Sequence, residues 1–265
     1  MLFKRGMNHF MDYEKVLEDA IQYAKEAGEY LIKQFYEDFK IDLKGSKELV
    51  TEVDYACEKL IIENIKKTYK NHNIIAEESG KHETDSEYTW IIDPLDGTIN
   101  FTRGIPIFGV ILSFEKNGET IIGVHHLPAI NQTYYALKGK GAFLNDKPIS
   151  VSSTDNLSDF IIGTGDFNIG KNNSERDLDN KLLSTITSSL SPMTMKTKIL
   201  GAACADLAFV ASGKLDVLFY AFSNPWDVKA GILLIEEAGG KVVQIGDLTI
   251  FSNGQNLDEI KSVFI

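Results

Sequence analysis

The residues with the clearest chemical potential lie in the stretch 90–101, which reads WIIDPLDGTINF. Its apolar start predicts the end of a buried strand, and Asp93 and Asp96 follow directly. Pro94 favours an extended backbone at Asp93, and Gly97 permits conformations that other residues resist. Two carboxylates are therefore expected where a strand ends and a tight turn begins.

A short helix is predicted to start after this turn, with Thr98 or Asn100 as its N-terminal cap. The free amides at the start of a helix suit a phosphate group. Carboxylates for a cation beside amides for an anion indicate metal-assisted chemistry on a phosphate. The alternative interpretation is an ordinary Asp-x-x-Asp turn stabilised by proline and glycine.

Acids at the ends of predicted elements recur along the chain, and the candidate set is Glu77, Asp93, Asp96 and Asp227. Carboxylates brought together raise one another's pKa values, and a divalent cation removes that penalty. Ligands that are all oxygen favour a hard ion such as Mg²⁺, and paired ions about 3.5–4 Å apart can activate water and neutralise a phosphate. A covalent nucleophile is not expected, because the chain has no cysteine in an electropositive setting and no Gly-x-Ser-x-Gly elbow.

Three acids also have purely structural interpretations. Thr51 and Asp54 have the spacing of a capping box, and Asp227 after Pro-Trp suits the N-cap of a helix. Glu77, next to a second acid, suits a solvated turn. Spacing alone leaves these alternatives open.

Composition restricts the partners of the chain. Its 265 residues are 43% hydrophobic and 25% charged, with a net charge of −11. This acidic balance argues against nucleic acid or an anionic membrane as the main partner. No apolar run approaches the roughly 18 residues of a membrane span, and the start of the chain lacks the pattern of a signal peptide. Because Cys57 and Cys204 also suit buried thiols in a reducing compartment, we expect a cytoplasmic protein.

Periodicity predicts helices and antiparallel strands in the first part of the chain. The predicted elements are helices at 12–39 and 54–69, a short strand at 74–76, antiparallel strands between 108 and 137, and a glycine-rich hairpin at 139–148. His72 and His82 are expected on the surface, and His125 and His126 in structural roles.

From residue 151 onward, strands alternate with helices, which predicts βαβ units. The predicted strands are at 160–165, 195–200, 217–220, 241–243 and 262–265, and the predicted helices are at 176–189, 202–213 and 226–239.

The string at 90–101 resembles the signature of the inositol monophosphatase family. The resemblance continues over nearly the whole chain from residue 12. Its other parts are Asp54 after Leu49-Val50-Thr51, the triplet Glu77-Glu78-Ser79, and the segments 139–145, 201–203 and 225–231.

The resemblance implies roles for individual residues. Glu77, Asp93 and the carbonyl of Leu95 would hold one metal ion, Asp93, Asp96 and Asp227 would hold a second, and Glu77 with water would hold a weaker third. Thr98, oriented by Asp54 and helped by Glu77, would position the attacking water. The implied substrate contacts are Asp96, Gly97, Thr98, Gly201, Ala202, Ala203, Tyr220 and Asp227, with the amides of Gly97 and Thr98 on the phosphate.

The fold that the resemblance implies is an α+β / α/β protein, the layered αβαβα sandwich of the fructose-bisphosphatase/inositol monophosphatase-like sugar phosphatases. Residues 1–11 would form an N-terminal extension. Residues 12–150 would form an α+β half with most metal ligands, and residues 151–265 an α/β half that contributes Asp227.

The implied activity is Mg²⁺-dependent hydrolysis of a small phosphate monoester, with inositol monophosphate as the first choice, by a lithium-sensitive homodimer. Two departures from the family pattern affect the choice of substrate. Tyr220 stands where the animal enzymes of the family have an acid that binds inositol. Lys44 resembles the family's loop lysine near the third metal, but one residue is missing after it. The alternatives are phosphatases for 3′-phosphoadenosine 5′-phosphate, NADP or fructose 1,6-bisphosphate, and a non-catalytic regulator that binds RNA polymerase.

Overall fold

The computed structural model describes residues 11–43, 49–167, 173–221 and 223–263. Lys44 and most of the N-terminal extension lie outside the described residues, so the predictions for them stay predictions. In the described part, no helix is long and apolar enough to cross a membrane.

All helices except the last lie close to the positions predicted from the sequence. They are α1 Tyr13–Phe35, α2 Glu52–Thr68, α3 Thr98–Thr102, α4 Asn173–Leu190, α5 Ala203–Ala211, α6 Pro225–Glu237 and α7 Leu257–Ser262. The strands are β1 Ile41–Leu43, β2 Leu49–Thr51, β3 Asn73–Ala76, β4 Gly80–His82, β5 Tyr88–Asp96, β6 Gly109–Lys116, β7 Glu119–Leu127, β8 Gln132–Leu137, β9 Ala142–Leu144, β10 Lys147–Ile149, β11 Ile161–Thr164, β12 Lys196–Lys198, β13 Val217–Tyr220, β14 Lys241–Ile245 and β15 Leu248–Ser252.

The first half is built on an eight-stranded sheet with the order β10-β9-β8-β7-β6-β5-β3-β4. All neighbours are antiparallel except β3 and β5, whose parallel pairing brings both carboxyl ends to one edge. Helices α1 and α2 bury their apolar stripes against one face of this sheet, which supplies Val110, Leu112 and Phe114 to the shared core. The antiparallel strands and the hairpin predicted from the sequence are confirmed.

The second half has a five-stranded sheet with the order β12-β11-β13-β15-β14. Its strands β12, β11 and β13 are parallel, as βαβ units require, but β15 runs antiparallel to both of its neighbours. Two predictions were wrong here. The strand β15 was missed. The predicted closing strand at 262–265 does not begin as expected, because Ser262 ends helix α7 and Val263 lies in a turn, and the last two residues of that prediction lie outside the described residues.

Helices α5 and α6 lie between the two sheets. Their core includes Ile111 and Tyr134 of the first sheet together with Leu218 and Phe251 of the second. Alternate residues of β13 point the other way, where Val217 and Phe219 pack with side chains of α4 and α7. The layers are therefore α, β, α, β, α, which confirms the sandwich fold.

A missing side chain lets α6 approach the first sheet closely. A Cβ atom added at Gly123 on β7 would lie 2.6 Å from the carbonyl oxygen of Ala230 on α6, which no real structure accommodates without a shift. Because α6 carries Asp227, this contact fixes how far that carboxylate stands from the end of β5.

His72 is half-buried, which corrects its predicted surface position. Its Nδ1 accepts a hydrogen bond of 3.2 Å from the indole N–H of Trp90, and its ring stacks on Tyr69 at 5.0 Å between centroids. Burial lowers the pKa of His72.

His125 and His126 lie in the core of β7, as their predicted structural roles require. Nδ1 of His125 is 2.9 Å from the carbonyl oxygen of Cys204, and Nδ1 of His126 is 2.9 Å from the hydroxyl of Thr133. Burial lowers the pKa of each histidine from 6.5 to about 4. Both rings are therefore neutral in the folded protein over the whole physiological range.

These histidines should make the folded protein sensitive to acid. Between pH 6.5 and 4 the unfolded chain binds protons that the folded protein excludes, so their contribution is complete above pH 6.5 and is lost as the pH falls toward 4. The free energy of unfolding in urea should fall by up to roughly 3 kcal/mol for each histidine. His126→Asn should flatten this fall relative to wild type, with His82→Asn as the control. An unchanged slope in the His126→Asn variant would contradict the prediction.

Candidate active site

The end of β5 is irregular, and this irregularity presents the first two acids. The pairing of β5 with β6 shifts register between Asp93 and Asp96, which leaves the intervening residues out of the regular ladder. Asp93 is 2% exposed, and its Oδ1 accepts a hydrogen bond of 3.1 Å from the amide of Leu95. The thiol of Cys57 on α2 donates to the carbonyl oxygen of Pro94 at 3.2 Å, so a hydrogen bond joins α2 to this turn.

The helix after the turn is capped differently from the prediction. Gly97 occupies the N-cap of α3 in the left-handed conformation, with φ +81°, and neither Thr98 nor Asn100 caps the helix. Only glycine adopts this conformation readily, and a Cβ here would also lie 2.9 Å from the carbonyl oxygen of Ile107. The side-chain amide of Asn100 instead donates to the carbonyl oxygens of Ile107 at 2.8 Å and Leu200 at 2.9 Å.

Thr98 lies between two oxygen acceptors. Its hydroxyl is 3.0 Å from the carbonyl oxygen of Leu95 and 3.2 Å from Oδ1 of Asp54. Because a hydroxyl has one proton, it donates to one of these acceptors at a time. When it donates to Asp54, its own lone pairs are free to accept.

Asp54 combines the predicted capping role with this second contact. Its Oδ2 accepts from the amide of Thr51 at 2.8 Å and from the Thr51 hydroxyl at 2.5 Å, and the capping box is confirmed. The other oxygen faces Thr98. Burial raises the pKa of Asp54, while the hydrogen bonds from Thr51 and Thr98 partly offset that rise.

Asp96 connects the turn to the start of α5. Its Oδ1 accepts from the amide of Ala203 at 3.1 Å, and its Oδ2 accepts from the amide of Cys204 at 2.7 Å. Burial raises the pKa of Asp96, these hydrogen bonds lower it, and the charge of Asp166 raises it. Of the segment predicted to contact substrate, Gly201–Ala203, the last residue therefore touches a predicted metal ligand directly.

Asp227 lies at the third position of α6 and not at its N-cap, which corrects the structural interpretation. Asn224 is the N-cap, and its amide donates to Oδ2 of Asp227 at 2.9 Å in a capping box. The Asn224 side-chain amide donates to the same oxygen at 3.2 Å.

Glu77 follows β3, and its amide donates to the carbonyl oxygen of Ile92 on β5 at 3.1 Å. The turn after it is held by a residue that the sequence analysis missed. Glu58 on α2 is 3% exposed, and its two carboxylate oxygens accept from the amides of Glu78 and Ser79, each at 2.8 Å. Glu58 lies four residues after Asp54, and this helical spacing to a candidate site residue is the signal that could have identified it.

The carboxylates share one electrostatic environment. Burial raises the pKa of Asp93 well above its usual range, and the nearby charges of Glu77, Asp96 and Asp227 raise it further. Among the described residues, however, no group of three or more His, Cys, Asp or Glu side chains is arranged so that it could hold a metal ion as it stands. The donor chemistry fits a hard cation, since every candidate ligand is an oxygen and their repulsion is the penalty that such a cation removes.

Tyr220 is 7% exposed and its hydroxyl donates to Oδ2 of Asp206 at 3.0 Å. Its ring packs on Phe251, with 5.6 Å between the ring centroids. The hydroxyl and much of the ring are therefore engaged within the protein, and a direct contact of Tyr220 with substrate stays a prediction.

Comparison with known sequences places this geometry in a family. The family model described as "Inositol monophosphatase family" matches residues 12–254. A "Fructose-1,6-bisphosphatase/inositol-1-monophosphatase" of Thermotoga maritima is 34% identical over 93% of this chain and 94% of its own length. "Inositol monophosphatase 2" of Solanum lycopersicum is 39% identical over 87% of each chain. A "Nus factor SuhB" of Pasteurella multocida is 36% identical over 86% of this chain and 84% of its own.

Solved structures agree with these matches. The "extragenic suppressor protein suhB" of Bartonella henselae superposes with a TM-score of 0.87 at 30% identity, covering 94% of this chain and 98% of that one. The Thermotoga maritima IMPase superposes with a TM-score of 0.85 at 33% identity, covering 94% and 96%.

Proposed function

The chain belongs to the inositol monophosphatase family, and we propose that it is a Mg²⁺-dependent phosphatase that hydrolyses inositol monophosphate to inositol and phosphate. Family membership supports phosphatase activity. One observation carries the proposal of a Mg²⁺-dependent reaction: the negative charges of Glu77, Asp96 and Asp227 act on the buried carboxylate of Asp93. The same turn carries Thr98, which is hydrogen-bonded to Asp54.

Two or three Mg²⁺ ions would be held by oxygen ligands on the edge formed by β3, β5 and α6. Glu77, Asp93 and the carbonyl of Leu95 would hold one ion, and Asp93, Asp96 and Asp227 would hold another. When bound, Mg²⁺ supplies charge neutralisation and lowers the pKa of coordinated water. Residues of the chain would orient the attacking water and bind the substrate.

Thr98 would orient the attacking water. In one of its two hydrogen-bonding arrangements the Thr98 hydroxyl donates its proton to Asp54, which leaves the carbonyl oxygen of Leu95 available as a metal ligand. The lone pairs of the hydroxyl would then accept a hydrogen bond from the water and aim the water oxygen at phosphorus. Asp54 is suited to this task because Thr51 fixes its other oxygen.

Substrate would be held on two sides of the turn. The amides of Gly97 and Thr98 would contact the phosphate, and Asp96 with the segment 201–203 and Asp227 would face the alcohol portion. The hydrogen bonds from Asn100 to the carbonyl oxygens of Ile107 and Leu200 join these two sides, so they keep a fixed separation.

Glu58 should tune the metal affinity through the turn that follows Glu77. Glu58→Gln replaces one of the two carboxylate oxygens with an N–H₂ group. This group cannot accept from the backbone N–H of Glu78 or Ser79 that it faces, so the turn after Glu77 loses one hydrogen bond. We expect the Mg²⁺ concentration for half-maximal phosphate release to rise roughly 10- to 100-fold. Glu63→Gln, at an exposed position on the same helix, is the control. A lower melting temperature with an unchanged Mg²⁺ requirement would show that Glu58 acts on stability alone.

The remaining expectations are part of the same proposal: a cytoplasmic homodimer inhibited by lithium. The substrate is tested by phosphate release from inositol 1-phosphate, 3′-phosphoadenosine 5′-phosphate, NADP and fructose 1,6-bisphosphate, each with Mg²⁺, with chelator and with lithium. We expect metal-dependent turnover, with the highest kcat/KM on inositol 1-phosphate. A higher kcat/KM on one of the other esters would assign the enzyme to that substrate.

A regulatory role is the second candidate, because a relative at 36% identity bears the name Nus factor SuhB. The net charge of −11 disfavours direct binding of RNA, so the partner would be RNA polymerase itself. Binding of purified RNA polymerase by wild type and by an inactive Asp93→Asn variant tests this role. Equal binding by both, without turnover on any ester by wild type, would favour the regulator.

A further inference from the structure

The loop after β11 places an acid that the sequence analysis did not single out beside the site. A Cβ atom added at Gly201 would lie 3.5 Å from Oδ2 of Asp166, so this carboxylate lies beside the segment that leads to Ala203. The charge of Asp166 raises the pKa of Asp96 and that of Asp206. Asp166 therefore shares the local field of the candidate site.

Tyr220 lies directly beneath this loop. A Cβ at Gly165 would lie 2.7 Å from Cδ1 of Tyr220, so the absence of a side chain there lets the loop rest on the ring. The Tyr220 hydroxyl donates to Asp206, whose Oδ1 is buried without a hydrogen-bond partner. The proton of the Tyr220 hydroxyl is thus used within the protein, and the carboxylate next to this ring belongs to Asp166.

Burial raises the pKa of Asp166, and no hydrogen bond or ion pair joins its side chain to another residue in the described part of the chain. The oxygens of this half-buried carboxylate can therefore accept hydrogen bonds from a ligand. Hydroxyl groups supply the matching donors, and a second phosphate would meet repulsion from the charge of Asp166.

We propose that Asp166 accepts a hydrogen bond from a hydroxyl of the substrate's alcohol portion and selects neutral polyol monophosphates against substrates that carry a second phosphate. The proposal rests on the phosphatase function proposed above and names its substrate class. Asp166 is thereby a specificity-determining residue, separate from the residues that would hold metal or water.

Three substrates separate the hydrogen bond to a substrate hydroxyl from the repulsion of a second phosphate. They are inositol 1-phosphate, fructose 1,6-bisphosphate, and phenyl phosphate, which has no hydroxyl on its alcohol portion. In Asp166→Ala, kcat/KM for inositol 1-phosphate should fall roughly 10- to 100-fold, mainly through KM, because a hydrogen bond to a charged group is lost. The value for phenyl phosphate should stay within about twofold. In Asp166→Asn, kcat/KM for fructose 1,6-bisphosphate should rise relative to inositol 1-phosphate.

Asp85→Asn is the matched control, because it removes one negative charge from an exposed position before the start of β5, the opposite end from Asp93. Equal losses on inositol 1-phosphate and phenyl phosphate, or variants at position 166 that behave like Asp85→Asn, would overturn the role of Asp166 while leaving the phosphatase proposal intact. Folded wild-type protein that hydrolyses none of the three esters would overturn both.

Discussion

Replacing Asp93 with Asn is expected to abolish turnover while the protein stays folded. The charges of Glu77, Asp96 and Asp227 all act on Asp93, and Asp93 is assigned to both principal metal positions. Asn keeps the shape and an oxygen but loses the charge. We expect kcat to fall roughly 10³-fold or more, the scale seen when a group that stabilises the transition state is removed. Initial rates at saturating substrate and Mg²⁺ measure this loss.

The same substitution should stabilise the protein when metal is withheld. Burial and like charges raise the pKa of Asp93, which means that its ionised form opposes folding. In chelator near neutral pH, Asp93→Asn should melt above wild type, by about 2–4 °C for each kcal/mol of repulsion removed. Asp85→Asn should change neither property. Lower stability in chelator together with retained activity would place Asp93 in the core as an ordinary structural residue.

Replacing Thr98 with Ala should give the second large loss. The hydroxyl of Thr98 is the group that joins Asp54 to the end of β5, and Ala removes it without disturbing the backbone of α3. If this hydroxyl orients the attacking water, kcat should fall roughly 10²- to 10⁴-fold with little change in KM. Single-turnover phosphate release separates this chemical step from substrate binding.

The conservative variant decides how Thr98 acts. Thr98→Ser keeps the hydroxyl and should recover most of the rate. Asp54→Asn should resemble Thr98→Ala, because the amide oxygen stays with the two Thr51 donors and the N–H₂ group that then faces Thr98 cannot accept its hydroxyl proton. The capping bonds from Thr51 make Asp54→Asn less stable as well, so its rates are compared at a temperature well below its melting transition. Full activity in Thr98→Ala would remove Thr98 from the chemistry.

The sequence predicted those parts of the fold in which the hydrophobic pattern is strong. Helices α1 and α2 each bury one apolar stripe, β5 and β6 are almost continuously buried runs, and β5 ends at its acids as predicted. β15 was missed because its five residues follow β14 after a two-residue turn, and the final apolar run drew the strand prediction toward 262–265. The parallel pairing of β3 with β5, which brings Glu77 to Asp93, comes from tertiary packing and has no local signal.

The sequence predicted the site residues that lie in one motif, but it did not predict the contacts between segments that are distant in sequence. Asp93 and Asp96 lie in one motif, whereas the amides of Ala203 and Cys204 reach Asp96 across 107 and 108 residues. Asn100 was assigned a local cap, but its amide joins segments 100 residues apart. The only sequence signal for Glu58 is its helical spacing from Asp54, and Asp166 belongs to no motif. The importance of both residues follows from what the fold places beside them.

The central proposal is that the carboxylates around Asp93 hold Mg²⁺ for phosphate hydrolysis. Its most direct test is phosphate release from inositol 1-phosphate as Mg²⁺ is added to metal-free wild-type protein and to Asp93→Asn. We expect no release before the addition, a saturable rise in wild type, and no rise in the variant. Equal release by both proteins, or release by wild type in excess chelator, would contradict the proposal.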